Sequence, residues 1–131
     1  MDCSLIVLND LTKKVQWAGA NNHIWISYNN DFIEVKADKQ PVAFYENSKE
    51  FTTHQLDVKP CSYLYLFTDG YGDQFGGPKG KKYKNKSLKE FLRTINGESV
   101  EKQVQLLETN ILSWKGQLDQ VDDVAVSVIK F

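Results

Sequence analysis

An α+β fold of layered antiparallel strands, a β-sandwich with helices packed on it, is predicted by three features of the sequence. Short apolar segments separated by turn residues occupy the first half. Two helical patterns stand together between residues 87 and 116, and a valine-rich segment closes the chain, so a last strand must return to a sheet already built. With 131 residues the chain is long enough to bury a real core, and residues 1–131 read as one domain without an internal repeat or linker.

The strands follow in order. Leu5 and Val7 alternate with Ser4, Ile6 and Leu8 in a run that is apolar on both faces, and Thr12, Lys13 and Lys14 make a polar turn before Val15 to Ala18. Asn21-Asn22 is a natural turn because asparagine tolerates positive φ. The segments 23–28 and 32–36 flank Asn29-Asn30-Asp31, the pattern of a tight hairpin. Residues 38–49 carry a weak pattern and read as a loop, 51–58 as a strand, and Lys59-Pro60 as the turn into the apolar segment Tyr63-Leu64-Tyr65-Leu66-Phe67.

After Asp69 the character changes. Gly70, Gly72, Gly76, Gly77 and Gly80, with Pro78, predict a long irregular loop, and Lys79, Lys81, Lys82, Lys84 and Lys86 make it basic. Ser87 and Glu90 then have the spacing of a capping box ahead of Leu88, Phe91, Leu92 and Ile95, with Gly97 as the stop. Ser99 is placed to cap a second helix carrying Val100, Val104, Leu107, Ile111 and Trp114 on one face, and Gly116 ends it. Residues 124–131 form the final strand.

Composition narrows the function classes. Hydrophobic residues make up 41% and charged residues 25%, with a formal net charge of −1, so nothing points to nucleic acid. No apolar run approaches the ~20 residues that cross a bilayer, and the start shows neither a basic region nor a cleavage pattern. Cys3 and Cys61 are the only cysteines and form no CxxC pair, which fits a reducing cytosol with both thiols as packing residues, and excludes structural zinc.

The chemistry concentrates in acids at strand ends. Asp69 stands where one apolar strand ends; Asp122 and Asp123 stand where another begins. If those strands are antiparallel neighbours, the acids meet at one rim, an oxygen pair of the kind that magnesium or manganese favours. Asp69 also suits plain turn-capping, whereas Gly70 permits a ligand to approach the backbone. Adjacent Asp122 and Asp123 repel each other unless a cation or open solvent relieves them. The lysines at 79–86 suit either a solvated face or a flap that draws in an anionic, phosphorylated partner. His23 and His54 lie in strand patterns and read as packing residues. The run 76–81 lacks the Ser/Thr of a phosphate-cradling loop.

Together these residues resemble the type-2C metal-dependent serine/threonine protein phosphatases, within them the bacterial SpoIIE-like branch. Trp17-Ala18-Gly19-Ala20-Asn21-Asn22 is similar to that family's aromatic-Ala-Gly-Ala-Asn stretch. Phe67-Thr68-Asp69-Gly70-Tyr71 resembles its Thr/Ser-Asp-Gly signature, Gln120-Val121-Asp122-Asp123-Val124 its closing acid pair, and Asp73-Gln74-Phe75-Gly76-Gly77 a run found behind bacterial sensory modules. Met1 to Leu5 is similar to the strand that follows the family's first metal motif.

The resemblance implies an αββα domain, cytoplasmic, with a two-metal manganese or magnesium centre that activates water for attack on phosphorus. It implies Asp69 and Asp122 as ligands of one metal, Gly70 and Asp123 as supporting residues, and no catalytic group beyond the ligands. Lys79, Lys81 and Lys82 would face the substrate, a phosphorylated regulatory protein such as an anti-sigma-factor antagonist. The family's upstream Asp-Gly-x-Gly-His-Gly-like motif does not occur in these 131 residues. The expectation is therefore a C-terminal portion of such a domain, with at most one weak metal site, little activity alone, and open sheet edges that favour a homodimer. A non-catalytic module that binds a phosphorylated partner through residues 79–86 is the competing reading, and a structural domain whose acids merely cap turns is a third.

Overall fold

The computed structural model describes every residue except 10, 13, 30, 45 and 47, and it divides the chain into two units, Met1–Leu66 with Phe131, and Phe67–Lys130. Its elements are antiparallel sheets and a few helices, so the predicted α+β class is the observed one.

The first unit is built from strands β1 (Cys3–Asn9), β2 (Lys14–Ala20), β3 (Ile24–Tyr28), β4 (Asp31–Val35), β5 (His54–Leu56) and β6 (Tyr63–Phe67), whose last residue already counts with the second unit. One sheet runs β1–β2–β5; in the other, β3 lies between β4 and β6, and every one of these pairings is antiparallel. Burial follows the strand period of two in β2, where Val15 and Trp17 are buried and Gln16 is exposed. β3 is buried on both faces through Ile24, Trp25, Ile26 and Ser27. That double burial explains why its sequence is continuous rather than alternating. Asn21 (φ 59°) and Asn29 (φ 49°) take the left-handed turns expected of them. Lys13 of the polar turn and Asn30 of the hairpin turn lie outside the described residues.

The stretch 38–49 is the loop expected of it among its described residues, and it is held at its ends: the Gln40 side chain donates to the Lys49 carbonyl and accepts from its amide, and Asp38 receives the Thr52 amide at 2.7 Å. Two expectations of this unit need correction. The segment 51–58 contributes only His54–Leu56 to a strand. Cys61 is no packing residue; it is exposed at φ 67°, in the turn before β6. Both cysteines are free.

The second unit holds α1 (Gly70–Asp73), a miniature hairpin of β7 (Phe75–Gly76) and β8 (Lys81–Lys82), α2 (Asn85–Ile95), α3 (Val100–Lys115) and β9 (Val126–Lys130). The glycine-rich stretch is thus structured, against the expectation of a long irregular loop. One reason is close approach. A Cβ at Gly76 would overlap the Trp114 carbonyl oxygen, and the Gly77 amide donates to that oxygen at 2.8 Å. The two glycines let the hairpin lie directly on the end of α3.

α2 starts two residues before Ser87, which falls inside the helix rather than at its cap. The Lys84 amide is held by the Gly72 carbonyl at 2.7 Å, and the Lys84 carbonyl already accepts from Ser87 and Leu88. That tertiary tie sets the helix start. Leu88, Leu92 and Ile95 bury one face as the apolar spacing requires. In α3 the Ser99 hydroxyl accepts from the Lys102 amide and Gly116 (φ 56°) ends the helix, both as read from the sequence. Its apolar stripe is only partly covered: Leu107 is buried while Val104 stays 44% exposed.

Candidate metal centre

The junction between the end of β6 and the segment before β9 is stitched by one side chain. The Thr68 hydroxyl donates to the Asp123 carbonyl at 2.8 Å, across 55 positions of sequence, and accepts from the Ala125 amide at 3.0 Å. The Thr68 amide donates in turn to the Ala125 carbonyl at 3.0 Å. A hydroxyl can serve as donor and acceptor at once, and here both capacities are used.

Gly70 closes the same junction from the other side. A Cβ there would overlap the Asp123 carbonyl oxygen and lie 2.9 Å from its carbon. Only a residue without a side chain lets the two backbones come this close. Asp69, between Thr68 and Gly70, therefore stands at one rim with Asp122 and Asp123, and all three are exposed.

The carboxylates differ in how they are used. Asp69 occupies the position before α1 (φ −64°, ψ −23°), yet its side chain makes no capping bond; only its carbonyl accepts, from the Asp73 amide at 2.9 Å. The turn-capping reading of this side chain is not realised. Asp122 Oδ1 accepts from the Asp123 amide at 2.7 Å, a local bond that orients the carboxylate and leaves Oδ2 without a protein partner among the described residues. Gln120 Nε2 donates to the Asp122 carbonyl at 2.8 Å.

Every donor at this rim is oxygen, the chemistry of a hard cation. Among the described residues no group of three or more His, Cys, Asp or Glu side chains converges as a metal site. An all-oxygen rim suits a hard cation rather than a softer metal, and the residues present do not by themselves form a two-metal cage. The histidines are engaged elsewhere: His23 Nδ1 accepts from the Ala37 amide at 3.0 Å, and the His54 ring packs 5.4 Å from that of Trp17.

The lysines divide. Lys82 pairs with Asp73 at 3.0 Å and lies over the Phe75 ring, so it braces the hairpin. Lys79 and Lys81 are exposed, on the turn and on β8 respectively, and carry no ion pair among the described residues. A groove of about 340 Å³ runs beside α3, lined by Tyr71, Val104, Leu107, Gln120 and Val124 among others, and neither Asp69 nor Asp122 lines it.

Sequence reasoning passed over two residues here. Thr68 is a hydroxyl at the end of an apolar strand, and that mismatch was its available signal. Tyr71 is a large aromatic inside a run of glycines; it is fully buried and reaches α3.

This arrangement of sheets and helices is the PP2C phosphatase fold, as solved structures make explicit. The chain matches the SiaA-PP2C domain of Pseudomonas aeruginosa with a TM-score of 0.90 at 21% identity, over 99% of this chain and 51% of that one. It matches the SpoIIE phosphatase domain of Bacillus subtilis, in a Mn-presoaked structure, with a TM-score of 0.74 at 14% identity, over 99% and 56%. The Mycobacterium tuberculosis serine/threonine phosphatase PstP/Ppp gives 0.56 at 12% identity, over 97% and 57%. At such identities the likeness concerns fold, and this chain spans just over half the length of each of those structures. A comparison with curated protein sequences yields no match. The family is nevertheless plain from the sequence model of Stage II sporulation protein E (SpoIIE), which matches residues 1–131: the chain belongs to the SpoIIE family. Among the described residues no helix is long and apolar enough to cross a membrane.

Proposed function

We propose that this chain supplies the acidic rim of a metal-dependent phosphatase that removes phosphate from serine or threonine of a bacterial regulatory protein. Asp69 and Asp122 hold a Mn²⁺ or Mg²⁺ ion, and Gly70 and Asp123 keep the two backbones in contact so that the acids stay together. When bound, such a cation supplies positive charge against phosphoryl oxygens and lowers the pKa of water. Lys79 and Lys81, on the hairpin turn and strand, attract the phosphorylated partner, and Lys82 holds the hairpin's shape through Asp73. An anti-sigma-factor antagonist is the specific partner we infer, and a reducing cytoplasm, consistent with two free cysteines, the compartment.

The observation that carries this reading is the Thr68–Asp123 hydrogen bond with Gly70 seated on the same carbonyl, which brings the two acidic segments to one rim. The exposed edge strand β1, with Leu5, Val7 and Leu8 all at least 46% exposed, supports assembly into a homodimer.

A second reading is favoured by the lack of a three-acid cluster among the described residues: a module that binds the phosphorylated partner without turnover. Mn²⁺-dependent hydrolysis of an aryl phosphate separates the two. The phosphatase reading expects turnover that Asp69→Asn and Asp122→Asn abolish. Absence of turnover together with salt-sensitive binding of a phosphopeptide establishes the module. Absence of both turnover and Mn²⁺ binding overturns the metal assignment itself.

A further inference from the structure

α1 has four residues, a single turn, and so short a helix has no stability of its own. It is nevertheless the segment that presents Asp69. The Thr68 stitch and Gly70 fix its beginning. Its far side is fixed by Tyr71, whose hydroxyl donates to the Leu107 carbonyl of α3 at 2.9 Å, with Asn110 Oδ1 as a second acceptor at 3.1 Å. A hydroxyl has one proton to give, so the two acceptors share it.

Tyr71 is 1% exposed, and its ring meets Tyr83 edge-on at 5.3 Å, which in turn meets Trp114 edge-on at 5.2 Å. The Trp114 indole donates to the Gln74 carbonyl at 3.1 Å, one residue past α1. Both ends of this chain of contacts rest on α3. Burial pushes the Tyr71 hydroxyl pKa well above its ordinary value, and Tyr83 adds to the effect.

Resting on the metal reading above, we propose that Tyr71 is a positioning residue: its hydroxyl latches the turn bearing Asp69 to α3, so the placement of Asp69 beside Asp122 is set from the helix. The cost of leaving the latch open falls on two properties that can be read separately, the opening of α1 and the affinity for the ion. Tyr71→Phe keeps the ring contacts and removes only the hydroxyl, which makes it the informative variant.

The test measures hydrogen exchange at the Asp73 and Gln74 amides, which close α1 on Asp69 and Gly70, and Mn²⁺ affinity by titration calorimetry. Tyr71→Phe is expected to speed exchange at those two amides by about five- to tenfold, the equivalent of one neutral hydrogen bond, and to weaken Mn²⁺ binding by a similar factor. Exchange at the α2 amides should stay as in the parent chain. Unchanged exchange overturns the latch. Faster exchange with unchanged Mn²⁺ affinity overturns positioning and leaves Tyr71 a packing residue. If Asp69→Asn binds Mn²⁺ as the parent does, the metal reading fails, while the exchange result still judges the latch. Should Tyr71→Phe not fold, Asn110→Ala removes the second acceptor and is read by the same two measurements.

Discussion

Gly70→Ala puts the geometry of the acidic rim to its sharpest test, because two physical effects predict opposite signs. Gly70 begins α1, and in a helix alanine is favoured over glycine by about 1 kcal/mol. Propensity alone thus predicts a more stable protein. Sterics predict the reverse. The new methyl would overlap the Asp123 carbonyl oxygen, lie 2.9 Å from its carbon and 3.4 Å from the Asp122 carbonyl carbon. All of these are backbone atoms, so no side chain can rotate away. Separating the two backbone segments far enough to admit a methyl strains the packing by about 1–3 kcal/mol and loosens the Thr68–Asp123 bond, worth about 1 kcal/mol more. Offset by propensity, the net destabilisation is about 1–3 kcal/mol. Urea denaturation with an unchanged m-value measures it, and calorimetry of Mn²⁺ binding should show a parallel loss of affinity. An alanine variant as stable as the parent, or more so, would refute the close contact and with it the shared rim.

Other perturbations probe the remaining supports. Ser99→Ala removes the acceptor of the Lys102 amide at the start of α3 and should cost about 1 kcal/mol by thermal or urea unfolding, with Ser99→Asp restoring most of it. Leu88→Ala, at a fully buried position of α2, should cost about 2–5 kcal/mol in the same assay. The buried tyrosines predict a pH effect. Burial raises the pKa of both Tyr71 and Tyr83, and for Tyr83 a hydrogen bond with Asn110 partly opposes it. The folded chain then holds these protons more tightly than the unfolded one. Their contribution is complete below the ordinary tyrosine value of about 10 and is lost as pH rises above it. Stability should decline above that point, and less steeply in Tyr71→Phe; equal slopes would contradict the assignment. Paired charge reversal, Lys79→Glu with Lys81→Glu, should weaken phosphopeptide binding and flatten its salt dependence without moving the melting temperature, since neither lysine carries an ion pair among the described residues.

Local signals and tertiary decisions separate cleanly along this chain. Where one residue type answers one local need, the sequence was readable. Asn21 and Asn29 take left-handed turns, Ser99 caps α3, Gly116 ends it, and Leu88, Leu92 and Ile95 share a buried face. Each depends on atoms within a few positions. Where the outcome rests on distant partners, local patterns misled. Ser87 had the spacing of a cap, but the tie between Lys84 and Gly72 starts the helix earlier. The glycines at 76 and 77 looked like loop formers, whereas they are the clearance that a hairpin needs to lie on Trp114.

The acidic site falls on both sides of that line. Its acids and the run of lysines that follows Asp69 were legible from residue order, because charged residues beside apolar segments are conspicuous in one dimension; that the lysines sit on a hairpin was not. That the segments around Asp69 and Asp122 come together was decided by folding. It took a hydroxyl reaching 55 positions along the chain and a glycine small enough to admit a foreign carbonyl. Sequence order specifies which groups are available to a site; only the packing of backbone against backbone brings them within reach of one another.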